Sequence, residues 1–145
     1  MNDETIKHLE FIQANIARMG QNSFQMKGWA LTLVTALLAL FAASVGDNGT
    51  GNTLFICIGI LPTIIFWFLD AYYLQQERKF RGIYEDVVGL TDASKRINVE
   101  PFEMPLEKYK KGKYCICRTA FSETVWPLYL PIIAVLVILG LVLSC

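Results

Sequence analysis

The sequence predicts an all-α membrane protein with three transmembrane helices, its N-terminus in the cytoplasm and its C-terminus outside. Three observations predict this class. Apolar residues make up 54% of the chain, and they gather into three blocks instead of recurring periodically along it. Each block is long enough to cross a membrane as a helix, since a hydrocarbon core of about 30 Å takes about 20 residues at about 1.5 Å each. All 13 Lys and Arg lie either before Gly28 or between Arg78 and Arg118. The positive-inside rule therefore places the N-terminus and the long middle segment on the cytoplasmic side.

The elements follow in order. Residues 1–27 read as a cytoplasmic amphipathic helix, with Ile6, Leu9, Ile12, Ile16 and Met19 spaced by three and four along one face. Lys7, Glu10, Asn15 and Arg18 cover the other faces, and His8, the only histidine, is expected on the exposed side. Because the polar face mixes acids with bases, the stripe should pack on protein and not lie on a bilayer. Gly20 followed by Asn22-Ser23 is expected to bend or cap the chain before the first span. That span, residues 28–46 (GWALTLVTALLALFAASVG), has Lys27 and Trp29 as interfacial anchors. No short basic leader precedes it, so it is expected to stay in the mature chain. The link DNGTGN is rich in turn residues and too short for a domain, which makes spans one and two an antiparallel pair.

Span two, residues 53–74, contains Pro62, expected to kink it, and Asp70 near its cytoplasmic end. Residues 75–122 read as a cytoplasmic stalk and a small hairpin. The stretch FWFLDAYYLQQERKFRGIYEDV carries one helix out of the lipid, with Trp67, Tyr72 and Tyr73 as an interfacial belt. In EKYKKGKYCICR, Lys111-Gly112 is expected to turn two short strands. Span three, residues 123–144, has Pro127 and Pro131 in its first turns after a cap at Ser122 or Thr124.

Catalytic signatures are missing. There is no G-x-S-x-G, glycine-rich phosphate loop or H-E-x-x-H, and no nucleophile sits beside a base, so neither an enzyme nor a cofactor is expected. Glu85 and Asp86 are adjacent and diverge by about 100° on a helix, which denies them a paired acid and base role. Cys115 and Cys117 lack a nearby His or third Cys and read as reduced thiols, with no metal.

Three groups of residues remain as binding or gating candidates. Lys27 and Asp70 fall at the same membrane depth and should form an ion pair, either structural or part of a gate. Thr32, Thr35, Ala36, Ala39 and Ala43 form a small or hydroxyl-bearing face, suited to close helix packing or to lining a pore in a homo-oligomer. On the cytoplasmic side, Arg78, Lys79, Arg81, Tyr84, Lys108, Tyr109, Lys110, Lys111 and Lys113 interleave cations with aromatic rings. Such a set binds anionic lipid, or a nucleotide or short single-stranded nucleic acid whose bases stack on the tyrosines.

The block NSFQMKGWALTLVTALLAL, joined downstream to FWFLDAYYLQQERKFRGIYEDV, resembles the small multi-span membrane effectors of bacterial nucleotide-controlled antiphage systems, the Hailong membrane effectors most of all. The resemblance covers mainly residues 9–87. It implies an oligomeric channel of the bacterial inner membrane, gated by a nucleotide that a partner nucleotidyltransferase makes. Opening of such a channel depolarises the membrane and halts the infected host. The competing class is a non-conducting membrane anchor that recruits a cytoplasmic partner.

Overall fold

The structure is a computed structural model and describes residues 3–45, 54–110 and 112–144. The link DNGTGN, Lys111 and Cys145 lie outside the described residues. Among the described residues four α-helices follow one another: α1 (Asp3–Ser44), α2 (Leu54–Val88), α3 (Ile116–Ala120) and α4 (Trp126–Ser144). Single 3-10 turns occupy Leu106–Lys108 and Gly112–Tyr114. Helices α1 and α2 are each long and apolar enough to cross a membrane, and α4 supplies a shorter apolar helix over Trp126–Val142. The chain forms two compact units, residues 1–23 with 71–119 and residues 24–70 with 120–145.

Helix α1 runs without a break through Gly20, Asn22 and Ser23, where the sequence predicts a bend. A Cβ at Gly20 would lie 3.5 Å from the Glu77 carboxylate, so this glycine serves a close approach to α2 and not a chain reversal. Of the expected apolar stripe, Leu9 and Ile12 are buried and Ile16 and Met19 pack on the core, while Ile6 stays 41% exposed. The buried face is wider than the stripe and takes in His8, Asn15, Ser23, Met26, Ala30 and Val34 as well. His8 is thus inside the fold, contrary to its expected place on the exposed side. Asn15 is buried as well and folds its amide back onto the Phe11 carbonyl at 2.9 Å, satisfying its N–H locally.

In the first unit α1 and α2 lie antiparallel, and Gln13 Nε2 donates to the Tyr84 hydroxyl at 3.2 Å. Ile12, Phe80, Ile83 and Tyr109 form its core. Each such aliphatic or aromatic side chain contributes roughly 1.5–3 kcal/mol on full burial. Helix α2 ends at Val88, and Gly89 follows with a φ of 86°, the left-handed conformation that glycine fills most readily after a helix. The N–H groups of Gly89 and Leu90 both return to the Glu85 carbonyl.

No strand occurs among the described residues, so the expected hairpin is absent. An isolated two-stranded ladder is marginal in water, and here the tyrosines organise the segment instead. Tyr109 and Tyr114 meet edge to face with centroids 5.3 Å apart. Gln75 Nε2 donates to the Tyr114 carbonyl at 2.7 Å, taking an acceptor that a ladder would have used. Gly82 makes this packing possible, because a Cβ there would fall on the Tyr114 hydroxyl and within 3.0 Å of the Tyr109 ring.

In the second unit Val34, Ile56 and Leu136 fill the centre of a three-helix packing. Helix α2 continues through Pro62. The small residues of span two are spent inside the protomer: Gly59 lies against Leu37 and Leu136, and Thr63 is fully buried with its hydroxyl on the Gly59 carbonyl. Trp67 packs between Phe121 and Tyr129, and its N–H donates to the Ala120 carbonyl at 3.0 Å. Ahead of α4, the Ser122 carbonyl accepts the N–H groups of Val125 and Trp126.

Candidate functional site

The lysines and arginines that the sequence singles out as binding candidates sort into two groups. Lys108 and Lys113 line one cavity of about 340 Å³ together with Lys95, and Glu85, Asp86, Tyr109 and Tyr114 complete its polar and aromatic wall. That volume falls at the lower end of small-molecule sites, which run from roughly 300 to 1,000 Å³. Arg78, Lys79, Arg81 and Lys110 do not line it. Arg81 instead pairs with Glu77 at 2.7 Å along α2. The hydroxyl of Tyr84 is engaged with Gln13, and Lys111 lies outside the described residues.

Three lysines against Glu85 and Asp86 leave the lining cationic. Lys113 Nζ pairs with Glu85 at 3.1 Å and lies 5.3 Å from the Tyr114 ring centroid. Burial lowers the Lys113 ammonium's pKa, but the Glu85 carboxylate and the Tyr114 phenol together outweigh that, and the net shift is upward. This lysine therefore carries its charge throughout the physiological range. Lys108 pairs with Glu103 across 3.8 Å, and both side chains are about half exposed. Such exposed pairs contribute little, so both lysines can exchange their carboxylates for a ligand anion at small cost.

Tyr109 is not the open stacking platform expected from the sequence. It is buried, and its hydroxyl donates to Asp86 Oδ2 at 2.5 Å. Burial and the Asp86 carboxylate both hold the phenol far above its ordinary pKa. Tyr114 is shifted upward too, chiefly by burial, with Lys113 opposing. Asp86 also accepts the Ile97 N–H at 3.4 Å, which ties the 91–99 loop to α2. Neither Asp86 nor His8 was singled out in the sequence as a binding residue. The signal that points to His8 is the spacing 8, 12, 15, which continues the buried face of α1 backwards from Ser23 and Met26; no comparable signal marks Asp86.

In the second unit Lys27 and Asp70 form an ion pair. Nζ lies 2.8 Å from Oδ1 and 2.7 Å from Oδ2, with the carboxylate fully buried and the lysine 23% exposed. The Tyr129 phenol, also fully buried, lies against Asp70. The small-residue face of α1 points away from this centre. Thr32, Thr35, Ala36, Ala39 and Ala43 are all exposed, and both threonine hydroxyls fold back onto carbonyls one turn earlier.

Chemically, the chain is an all-helical protein with two helices of membrane-crossing length and a cationic, tyrosine-walled cavity among its polar segments. No protein-family model, no curated protein and no solved structure matches it.

Proposed function

We propose that the chain is a three-span protein of the bacterial inner membrane, N-terminus in and C-terminus out, whose homo-oligomer forms an ion channel gated by a nucleotide in antiphage defence. The observation that carries this reading is the convergence of Lys95, Lys108 and Lys113 with Tyr114 on one cavity. Lysines take phosphate charge as point cations, and a ring edge beside them takes sugar or base. The resemblance of the 9–87 block to nucleotide-controlled membrane effectors points the same way.

Ion conduction falls to an assembly of copies. The centre of the apolar unit is filled by Val34, Ile56 and Leu136, so one copy encloses no path. The exposed Thr32, Thr35, Ala36, Ala39 and Ala43 face suits close approach of a second copy, and cyclic closure is the common solution. Gating requires that the ligand bind the open and closed arrangements with different affinity. Helices α1 and α2 each have residues in both units, which gives a covalent route from ligand to span.

A membrane-potential dye in cells expressing the protein with its nucleotidyltransferase tests the reading. Wild type should depolarise the membrane conditionally, according to whether the enzyme is active. Replacing Lys95, Lys108 and Lys113 together by Ala should make depolarisation independent of it. Dependence that survives the triple substitution overturns the lysine site, and a membrane that stays polarised throughout favours the non-conducting anchor.

A further inference from the structure

The lysine cavity shares a wall with a second one. Asp86 and Ile97 line both, and the second, of about 300 Å³, is completed by Thr5, His8, Arg96 and Asn98 among others. The two differ in charge. The lysine side is cationic, whereas here one carboxylate faces one guanidinium.

Two polar side chains of the second cavity are deeply buried with bonding capacity left over. His8 is 1% exposed, and its Nε2 has no hydrogen-bond partner among the described residues. Asp86 is 7% exposed and spends Oδ2 on both the Tyr109 hydroxyl and the Ile97 N–H, leaving Oδ1 as an acceptor. Arg96 uses Nη2 on the Gly89 and Thr91 carbonyls, which leaves Nε and Nη1 to donate. A buried polar atom without a partner costs roughly 1–3 kcal/mol, so a ligand atom that satisfies it gains that much in binding. Phe102 does not line the cavity but stands beside it, against His8. Its ring lies 5.9 Å from the His8 ring and is 62% exposed, and its φ of 65° is a left-handed conformation that non-glycine residues rarely adopt.

We infer that the His8 cavity receives the base of the same nucleotide whose phosphate lies among Lys95, Lys108 and Lys113, an assignment that rests on the nucleotide reading above. A nucleoside phosphate joins a neutral edge of donors and acceptors to an anionic end through a sugar. The paired cavities present the complementary sequence. Asp86 Oδ1 accepts a ring N–H or exocyclic amine, while Arg96 and His8 serve a ring nitrogen or carbonyl. Asn98 stands at the exposed margin. Sites built on buried hydrogen-bonding groups discriminate strongly, because a ligand lacking the matching atoms leaves those groups unpaired.

Calorimetric titration of the full chain in lipid nanodiscs, with the four nucleoside 5′-monophosphates and with ribose 5-phosphate, tests the assignment. At least one nucleotide should bind about tenfold or more tighter than ribose 5-phosphate, a difference of about 1.4 kcal/mol. Asn98→Trp, an exposed position whose larger side chain fills the cavity mouth, and His8→Phe should each erase that preference and leave ribose 5-phosphate binding unchanged. Lys108→Ala should weaken both ligands by the same factor. A base preference that survives both cavity variants overturns the base site. Lysine-dependent binding of ribose 5-phosphate with no preference for any nucleotide also overturns it, while leaving the nucleotide site standing. Absence of binding by every phosphate removes both.

Discussion

Replacing Lys27 by Met strands a carboxylate that the fold has fully buried. Asp70 has both oxygens within 2.8 Å of the Lys27 ammonium and is 0% exposed. Removing one partner of such a pair costs about 3–5 kcal/mol, because the remaining charge is neither solvated nor compensated. The opposite truncation is milder. In Asp70→Asn the 23% exposed lysine can extend toward water or headgroups, and the amide still offers an acceptor, so the loss is that of a charge-assisted hydrogen bond, about 1.5–3 kcal/mol. The double variant Lys27→Met with Asp70→Leu removes both charges and should lie nearer wild type than Lys27→Met alone. Denaturant unfolding in detergent micelles, followed through tryptophan fluorescence, measures all four members of the cycle. A Lys27→Met cost under about 1 kcal/mol, or a double variant less stable than Lys27→Met, would refute the reasoning.

Other substitutions probe the remaining elements. Gly82→Ala drives a methyl group into Tyr114 and Tyr109 and should destabilise the polar unit by about 1–3 kcal/mol, seen as faster proteolysis between α2 and α3. Gly89→Ala should cost roughly 1–2 kcal/mol, since its φ of 86° is left-handed and a Cβ would lie 3.2 Å from Arg96 Nη2; denaturant midpoints read this loss. Cys115 has its thiol pKa lowered by the backbone N–H groups of Cys117 and Arg118, against a smaller effect of burial. A lowered pKa means more thiolate at pH 7 to 8, so iodoacetamide should label Cys115 ahead of Cys117, and mass spectrometry of tryptic peptides gives the order. Ala39→Leu, on the exposed small-residue face, should change oligomer size or ion flux while leaving nucleotide binding intact, as size exclusion and liposome flux report.

Much of the helical class was legible, because uncharged blocks of membrane-crossing length admit few other structures. The Lys27–Asp70 pair was legible for a related reason. Each residue sits at the edge of an apolar block, and antiparallel packing of the two blocks brings those edges together. The hairpin reading failed because alternation in a short segment does not say whether a strand partner exists. Tyr109 and Tyr114 found a better surface on α2 at Gly82, a residue whose role is invisible without the two rings. His8 lies at the edge of the stripe that Ile6, Leu9, Ile12, Ile16 and Met19 mark, so the apolar pattern alone does not show that it is buried. Its cover, Phe102 and the loop tied to Asp86, comes from far along the chain. The bend expected at Gly20 shows the same limitation: glycine marks a turn in one context and a close helix contact in another.

Planar-bilayer recording of the purified protein tests the central claim most directly. Discrete unitary currents should appear whose open probability changes on adding nucleotide to the side bearing the lysine cavity, and the Lys95, Lys108 and Lys113→Ala variant should conduct without that response. A protein that inserts and assembles yet passes no current under any nucleotide condition would contradict the account.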